Sequence, residues 1–97
     1  TFAPQTRFAV GSRPRSVTLG DVNGEGRLDI VTANGSTDDV SVLWGGGDGT
    51  FGPQTRFDVG SRPRSVTLGD VNGDGRLDIV TANQRSDDVS VLLNQGP

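Results

Sequence analysis

Two short loops in this sequence carry oxygen-bearing side chains at alternate positions. The second reads DVNGDGRLD and places Asp70, Asn72, Asp74, Arg76 and Asp78 two residues apart. The first, DVNGEGRLD, places Asp21, Asn23, Glu25, Arg27 and Asp29 in the same order. A tightly curled loop turns such alternate oxygens inward, and its glycines supply the left-handed backbone that the curl needs. Carboxylates crowded into one short loop repel each other unless a cation sits among them. Ca²⁺ takes about 6–8 oxygen ligands, drawn from carboxylates, amide and main-chain carbonyls and water. The expected ligands are the side chains of Asp70, Asn72, Asp74 and Asp78 with the carbonyl of Arg76. Asp21, Asn23, Glu25, Asp29 and the carbonyl of Arg27 form the matching set. One ion per loop gives two per chain.

Other metals fit less well. Mg²⁺ prefers a rigid octahedron and keeps its waters, and Zn²⁺ asks for His or Cys, of which the chain has neither. An EF-hand needs a bidentate Glu at the twelfth loop position and flanking helices. Thr81 and Thr32 stand there, between β-branched runs. A plain hairpin turn accounts for Asn-Gly and Asp-Gly; it does not ask for three acids per loop, twice. Glu25 is longer than Asp74 by a methylene, so the first site is expected to be weaker or reshaped.

The elements that hold these loops are read from a repeat. TFAPQTRFAVGSRPRSVTLGDVNGEGRLDIVTAN from Thr1 returns as TFGPQTRFDVGSRPRSVTLGDVNGDGRLDIVTAN from Thr50, a period of 49 residues. A period of about 40–50 residues points to stacked supersecondary units, not to independent domains. Each unit reads as short strands rich in Val, Ile, Leu and Thr; in the second they fall at 51–58, 65–71, 77–82 and 88–93. Pro4 and Pro53 assign the strand that holds them to a sheet edge. Runs such as SVTLGDV and LDIVTA are apolar or small on both faces, as sheets covered on both sides require. The fold class is therefore all-β, with four-stranded antiparallel propeller blades. Residues 1–49 carry the outer strand of a shared blade and then three strands of the next. Residues 50–97 complete that blade and supply three strands of the shared one. Two blades cannot close a ring, so closure is expected by homo-oligomerisation. Strand 2–8 of one chain would pair with strand 88–93 of another. Three chains would give six blades and four would give eight, with three slightly preferred. Near-identity of the two units suggests recent duplication, an engineered scaffold or a fragment.

Composition narrows the partners. The chain has 97 residues and a formal charge of −3, against nucleic acid or an acidic membrane surface. Every basic residue is Arg, and His, Cys, Lys and Tyr are absent. That leaves little for general acid–base or nucleophilic catalysis, so no enzyme is expected. Without disulfides, a domain this small leans on metal or oligomerisation.

GDVNGDGRLDIVTAN, with the tail GGGDGTFGPQTRF, resembles the FG-GAP/VCBS repeat family, the calcium-binding blades of integrin-α-type propellers. The resemblance implies Ca²⁺ between the first two strands of each blade, held by the residues named above, in an extracellular protein. It also leaves two alternatives to a self-assembling scaffold: a propeller lectin binding glycan between blades or on a rim, and a protein-adhesion module. The remaining candidates favour packing. Arg13, Arg15, Arg62 and Arg64 in the SRPRS segments are expected to pair with Asp38, Asp39, Asp87 or Asp88 before serving an anion site. Trp44 is expected to fill space between blades before stacking on a sugar. Phe2, Phe8, Phe51 and Phe57 are expected to pack.

Overall fold

The computed structural model describes residues 1–96; Pro97, the last residue of the second repeat, lies outside them. Seven strands and no helix form among the described residues: β1 Pro14–Gly20, β2 Asp29–Asn34, β3 Asp39–Leu43, β4 Thr55–Asp58, β5 Pro63–Gly69, β6 Asp78–Asn83 and β7 Asp88–Leu92. They make two antiparallel sheets, one ordered β1-β2-β3-β4 and one ordered β5-β6-β7. These are blade-like sheets, and the chain is all-β.

The first sheet is built across the repeat boundary. β1, β2 and β3 come from the first repeat, and β4 of the second repeat pairs with β3 through Val42↔Thr55, Ser41↔Arg56, Val40↔Phe57 and Asp39↔Asp58. β4 is shorter than the 51–58 read from sequence. Pro53 has no N–H to give a ladder, and Phe51 makes only an isolated bridge with Gly45. The corresponding segment 2–8 of the first repeat forms no strand, since no edge equivalent to β3 lies beside it. Phe2 is accordingly exposed, against the packing expected of it, while Phe8 meets Phe51 edge-on at 5.3 Å.

Alternation along β2 and β3 sorts the first blade into two faces. Val31, Ala33, Val40 and Val42 point one way and are buried, and together with Val22 they join Val66 and Ile79 of the second sheet in one core. β1 lies against β5 there. Gly20 lies under Leu68 at that crossing: a Cβ there would stand 2.5 Å from Leu68 Cδ1, so the leucine would have to shift. Thr32, Asn34, Asp39 and Ser41 share the opposite face through the pairs Thr32↔Ser41 and Asn34↔Asp39. Asn34 Nδ2 donates to Asp39 Oδ1 and to Ser41 Oγ, both at 2.9 Å, and Thr32 Oγ1 donates to Asn34 Oδ1 at 3.0 Å. Thr81, Asn83, Asp88 and Ser90 repeat this network in the second blade. The segment TAN…DDVS is thus a polar clamp between adjacent strands, buried in the first blade and partly open in the second, where Asp88 is exposed.

Arg13 and Arg62, expected to meet acids with their side chains, instead serve through the backbone. Both are left-handed, with φ of 53° and 54°, where each bulge opens its strand. Their carbonyls accept from Gly35 N at 2.8 Å and Gln84 N at 2.9 Å. Arg62 reaches Asp38 only through its main-chain N–H, 2.9 Å from Oδ1, and Arg64 donates to Gln84 Oε1 at 2.7 Å. The arginine that pairs with Asp39 is Arg56 on β4, Nε to Oδ2 at 2.8 Å, because the β3–β4 register sets it alongside. A left-handed L-residue costs about 1–2 kcal/mol, and a following proline restricts it further. Arg62→Gly is therefore expected to raise stability by about 0.5–1 kcal/mol, the gain being reduced by the freer unfolded chain. Urea unfolding of the variant beside the parent checks this.

Candidate metal site

Each acidic loop joins the first two strands of its sheet, β1 to β2 and β5 to β6. The bend is made by glycine: Gly73 and Gly75 have φ of 78° and 84°, a region that penalises other residues. Asp70 is the hub of the second loop. Its Oδ1 accepts from Gly73 N at 2.8 Å and Asp74 N at 3.1 Å, and its Oδ2 from Gly75 N at 2.7 Å. The Gly75 N–H foremost, with those of Gly73 and Asp74, holds the Asp70 carboxyl below the usual carboxylate range although burial opposes this. Folding thereby favours the ionised form that a cation needs.

Asp78 enters from β6 and is fully buried. Its Oδ2 accepts from Val71 N at 2.9 Å and its Oδ1 from Asn94 N at 2.7 Å. It braces the loop against β5 while presenting an oxygen to the bend. Carboxylate oxygens of Asp70, Asp74 and Asp78 all lie within 4.8 Å of one another. The nearby positive group is Arg76, whose Nη1 is 3.4 Å from Asp74 Oδ2 and whose backbone N donates to Asp74 Oδ1 at 3.0 Å. That exposed contact is worth little. Asn72 is exposed in the same bend. Three hard oxygen donors converging from one loop, with water-accessible sides, suit a divalent oxygen-seeking ion.

The first loop shares the brace and not the cluster. Asp29 is buried, accepting from Val22 N at 2.9 Å and Gly45 N at 2.8 Å. Asp21 accepts from Glu25 N at 3.1 Å and Gly26 N at 2.6 Å. The Glu25 carboxylate, however, takes a 2.7 Å bond from Asn23 Nδ2 at the exposed side of the loop. Arg27 lies along the Gly47 turn. Among the described residues, the one acidic triad that converges is that of the second loop. The extra methylene of Glu25 is the difference between the loops.

Sequence reasoning missed Asn94, which sits where the first repeat has Gly45. Its Nδ2 donates to Val22 O at 2.6 Å and Leu77 O at 2.9 Å, tying the two sheets together beside the site. Nothing in its spacing marks it; its absence from the first repeat is the available signal. Trp44 packs against the core and donates Nε1–H to Thr55 Oγ1 at 3.0 Å, as a space-filling residue should.

Antiparallel blade-like sheets, the first built across a repeat boundary and each with an acidic glycine-rich loop between its first two strands, define a propeller-repeat protein. A family model for the FG-GAP-like repeat matches residues 21–81, more than half of the chain, and the chain belongs to that family. No curated protein and no solved structure matches it. Repeats of this family make β-propeller-type structural or binding modules, and no helix of the described residues is long and apolar enough to cross a membrane.

Proposed function

We propose that the chain is a calcium-binding, self-assembling propeller unit that acts as an extracellular scaffold without catalysis. The observation that carries this reading is the convergence of Asp70, Asp74 and Asp78 within 4.8 Å in the loop between β5 and β6. Asp70, Asn72, Asp74 and Asp78, with the carbonyl of Arg76, would hold the ion. The matching residues of the first loop would hold a second, more weakly, because Glu25 must turn from Asn23 to reach it. When bound, Ca²⁺ would offset the negative charge of three carboxylates that the single exposed Arg76 leaves unbalanced, and would stiffen the join between two strands. The family's extracellular habit supports placement where calcium is plentiful. Self-assembly is supported by the three-stranded second sheet, whose β7 has a partner on one side only.

Calorimetric titration with CaCl₂ of chelator-treated protein tests the metal. Extracellular modules bind calcium at about 10⁻⁴–10⁻³ M. At ten times Kd, binding adds roughly 1.4 kcal/mol per site, a rise of about 5–10 °C in Tm. Asp74→Asn is expected to abolish the tighter heat while leaving the chelated melt within about 0.5 kcal/mol of the parent, as for an exposed substitution. An identical melt in millimolar calcium and in excess chelator would overturn the reading.

A further inference from the structure

Comparison of each residue with its counterpart 49 positions on shows that the chain exposes both halves of the contact it makes internally. Between its own sheets, the first blade offers Gly20, Val22, Val40 and Val42, and the second offers Val66, Leu68, Leu77 and Ile79. The counterparts of the first set lie bare on the second blade. Val40 is 0% exposed and Val89 64%; Val22 is 8% exposed and Val71 55%. The space at Gly20 is filled by Leu68, whereas nothing stands within 4 Å of a Cβ at Gly69. The counterparts of the second set lie bare on the first blade: Val66 is 6% exposed, but Val17 is 64%, and Leu19 and Leu28 are equally open.

The edge and its charge tell the same story. β3 receives β4, and Asp39 Oδ2 receives Arg56 Nε at 2.8 Å. On β7, Asp88 uses Oδ1 as Asp39 does, accepting from Asn83 and Ser86. On β3 it is the second oxygen, Asp39 Oδ2, that Arg56 engages, and the counterpart of Arg56 in the first repeat is Arg7. Exposed apolar faces of this extent mark interaction sites, and an unpaired strand edge templates another strand.

We infer that the second blade's bare face and the β7 edge are the docking surface for a second copy of this chain, which binds by its first blade and residues 6–9. The internal contact supplies the template: Thr6 stands opposite Val91, Arg7 opposite Ser90 with its guanidinium on Asp88, Phe8 opposite Val89, and Leu19 and Leu28 fill the space over Gly69 and Val71. The contact is head-to-tail, since the two surfaces differ, and repetition closes a ring or extends a filament. This rests on the reading of the chain as a self-assembling blade unit and adds to it which surfaces meet and in what register.

Native mass spectrometry and light scattering of the 97-residue chain, Val17→Arg and Val89→Arg test it. The parent is expected to assemble. Each variant alone is expected to lose at least tenfold in assembly, while an equimolar mixture yields a heterodimer and nothing larger. A parent that stays monomeric overturns the self-assembly reading itself. A parent that assembles beside variants that also assemble, or that form homodimers, overturns the surface assignment alone. Because the chain has no Cys, Thr6→Cys with Val91→Cys in otherwise parental protein gives a second measurement that needs no charged substitution. Covalent multimers on oxidation, absent for Gln5→Cys with Val91→Cys, support the register. Equal cross-linking of both, or none for either, overturns it.

Discussion

Asp78→Ala is expected to cost about 3–5 kcal/mol whether or not calcium is present. The carboxylate is buried, and both of its oxygens hold backbone N–H groups, one from Val71 before it and one from Asn94 after it. Truncation leaves two partly buried donors without acceptors, at about 1–3 kcal/mol each, and a small cavity where the buried carboxylate stood. Since a domain of this size is stabilised by only about 5–15 kcal/mol in all, the loss is a large share. Asp78→Asn keeps the shape and one acceptor but turns an NH₂ toward a donor, so it should cost about half as much. Asp29→Ala should match Asp78→Ala, because Val22 N and Gly45 N depend on it in the same way. Urea unfolding in excess chelator, followed by far-UV circular dichroism, checks all three. The contrast with Asp74→Asn is the point of the comparison. A residue that only holds an ion shows its effect with calcium; a brace shows it without. Equal, small effects of Asp78→Ala and Asp74→Asn in chelator would mean that the buried carboxylate does not organise the loop.

This double use of the ninth loop position explains where sequence reading succeeds and where it stops. Strand periodicity and glycine-rich bends lie within a few residues of one another, so the all-β blades, the acidic loops and the edge position of the strand after Pro53 were legible. Burial of Asp78 was not. It depends on a donor seven residues earlier and another sixteen residues later, brought over the carboxylate only when the sheet forms. Asp39 poses the same difficulty. Nearby arginines in the SRPRS segments were the obvious partners, yet the register delivers Arg56 from the next repeat. Arg13 and Arg62 were read by their charge, while the fold uses their left-handed backbone to place a carbonyl. The converse case is Glu25. A one-methylene change, visible in sequence, already separates the loop whose acids converge from the loop whose acids do not.

The buried clamp offers a sharper test of how the blade is held, because one atom can be exchanged for a charge. Asn34 Nδ2 donates at 2.9 Å to Asp39 Oδ1, which also accepts from Thr37 Oγ1 at 2.8 Å. Asn34→Ala should cost about 2–4 kcal/mol, combining lost hydrogen bonds with a small cavity. Asn34→Asp keeps the volume but sets two carboxylates against each other out of water. Only Arg56, on the far oxygen of Asp39, remains to offset them. At neutral pH this substitution should therefore be the worse of the two, at about 3–5 kcal/mol. Its penalty should also fall with pH. Repulsion raises the proton affinity of the pair in the folded state above that of the unfolded chain. The folded protein then binds the extra proton first, so stability is regained as pH drops from neutral toward the ordinary carboxylate range, and lost again as pH rises. Asn34→Ala has no such pair and should track the parent across that range. Parallel pH dependences for the two variants would show that the amide acts by filling space, and not by donating to Asp39.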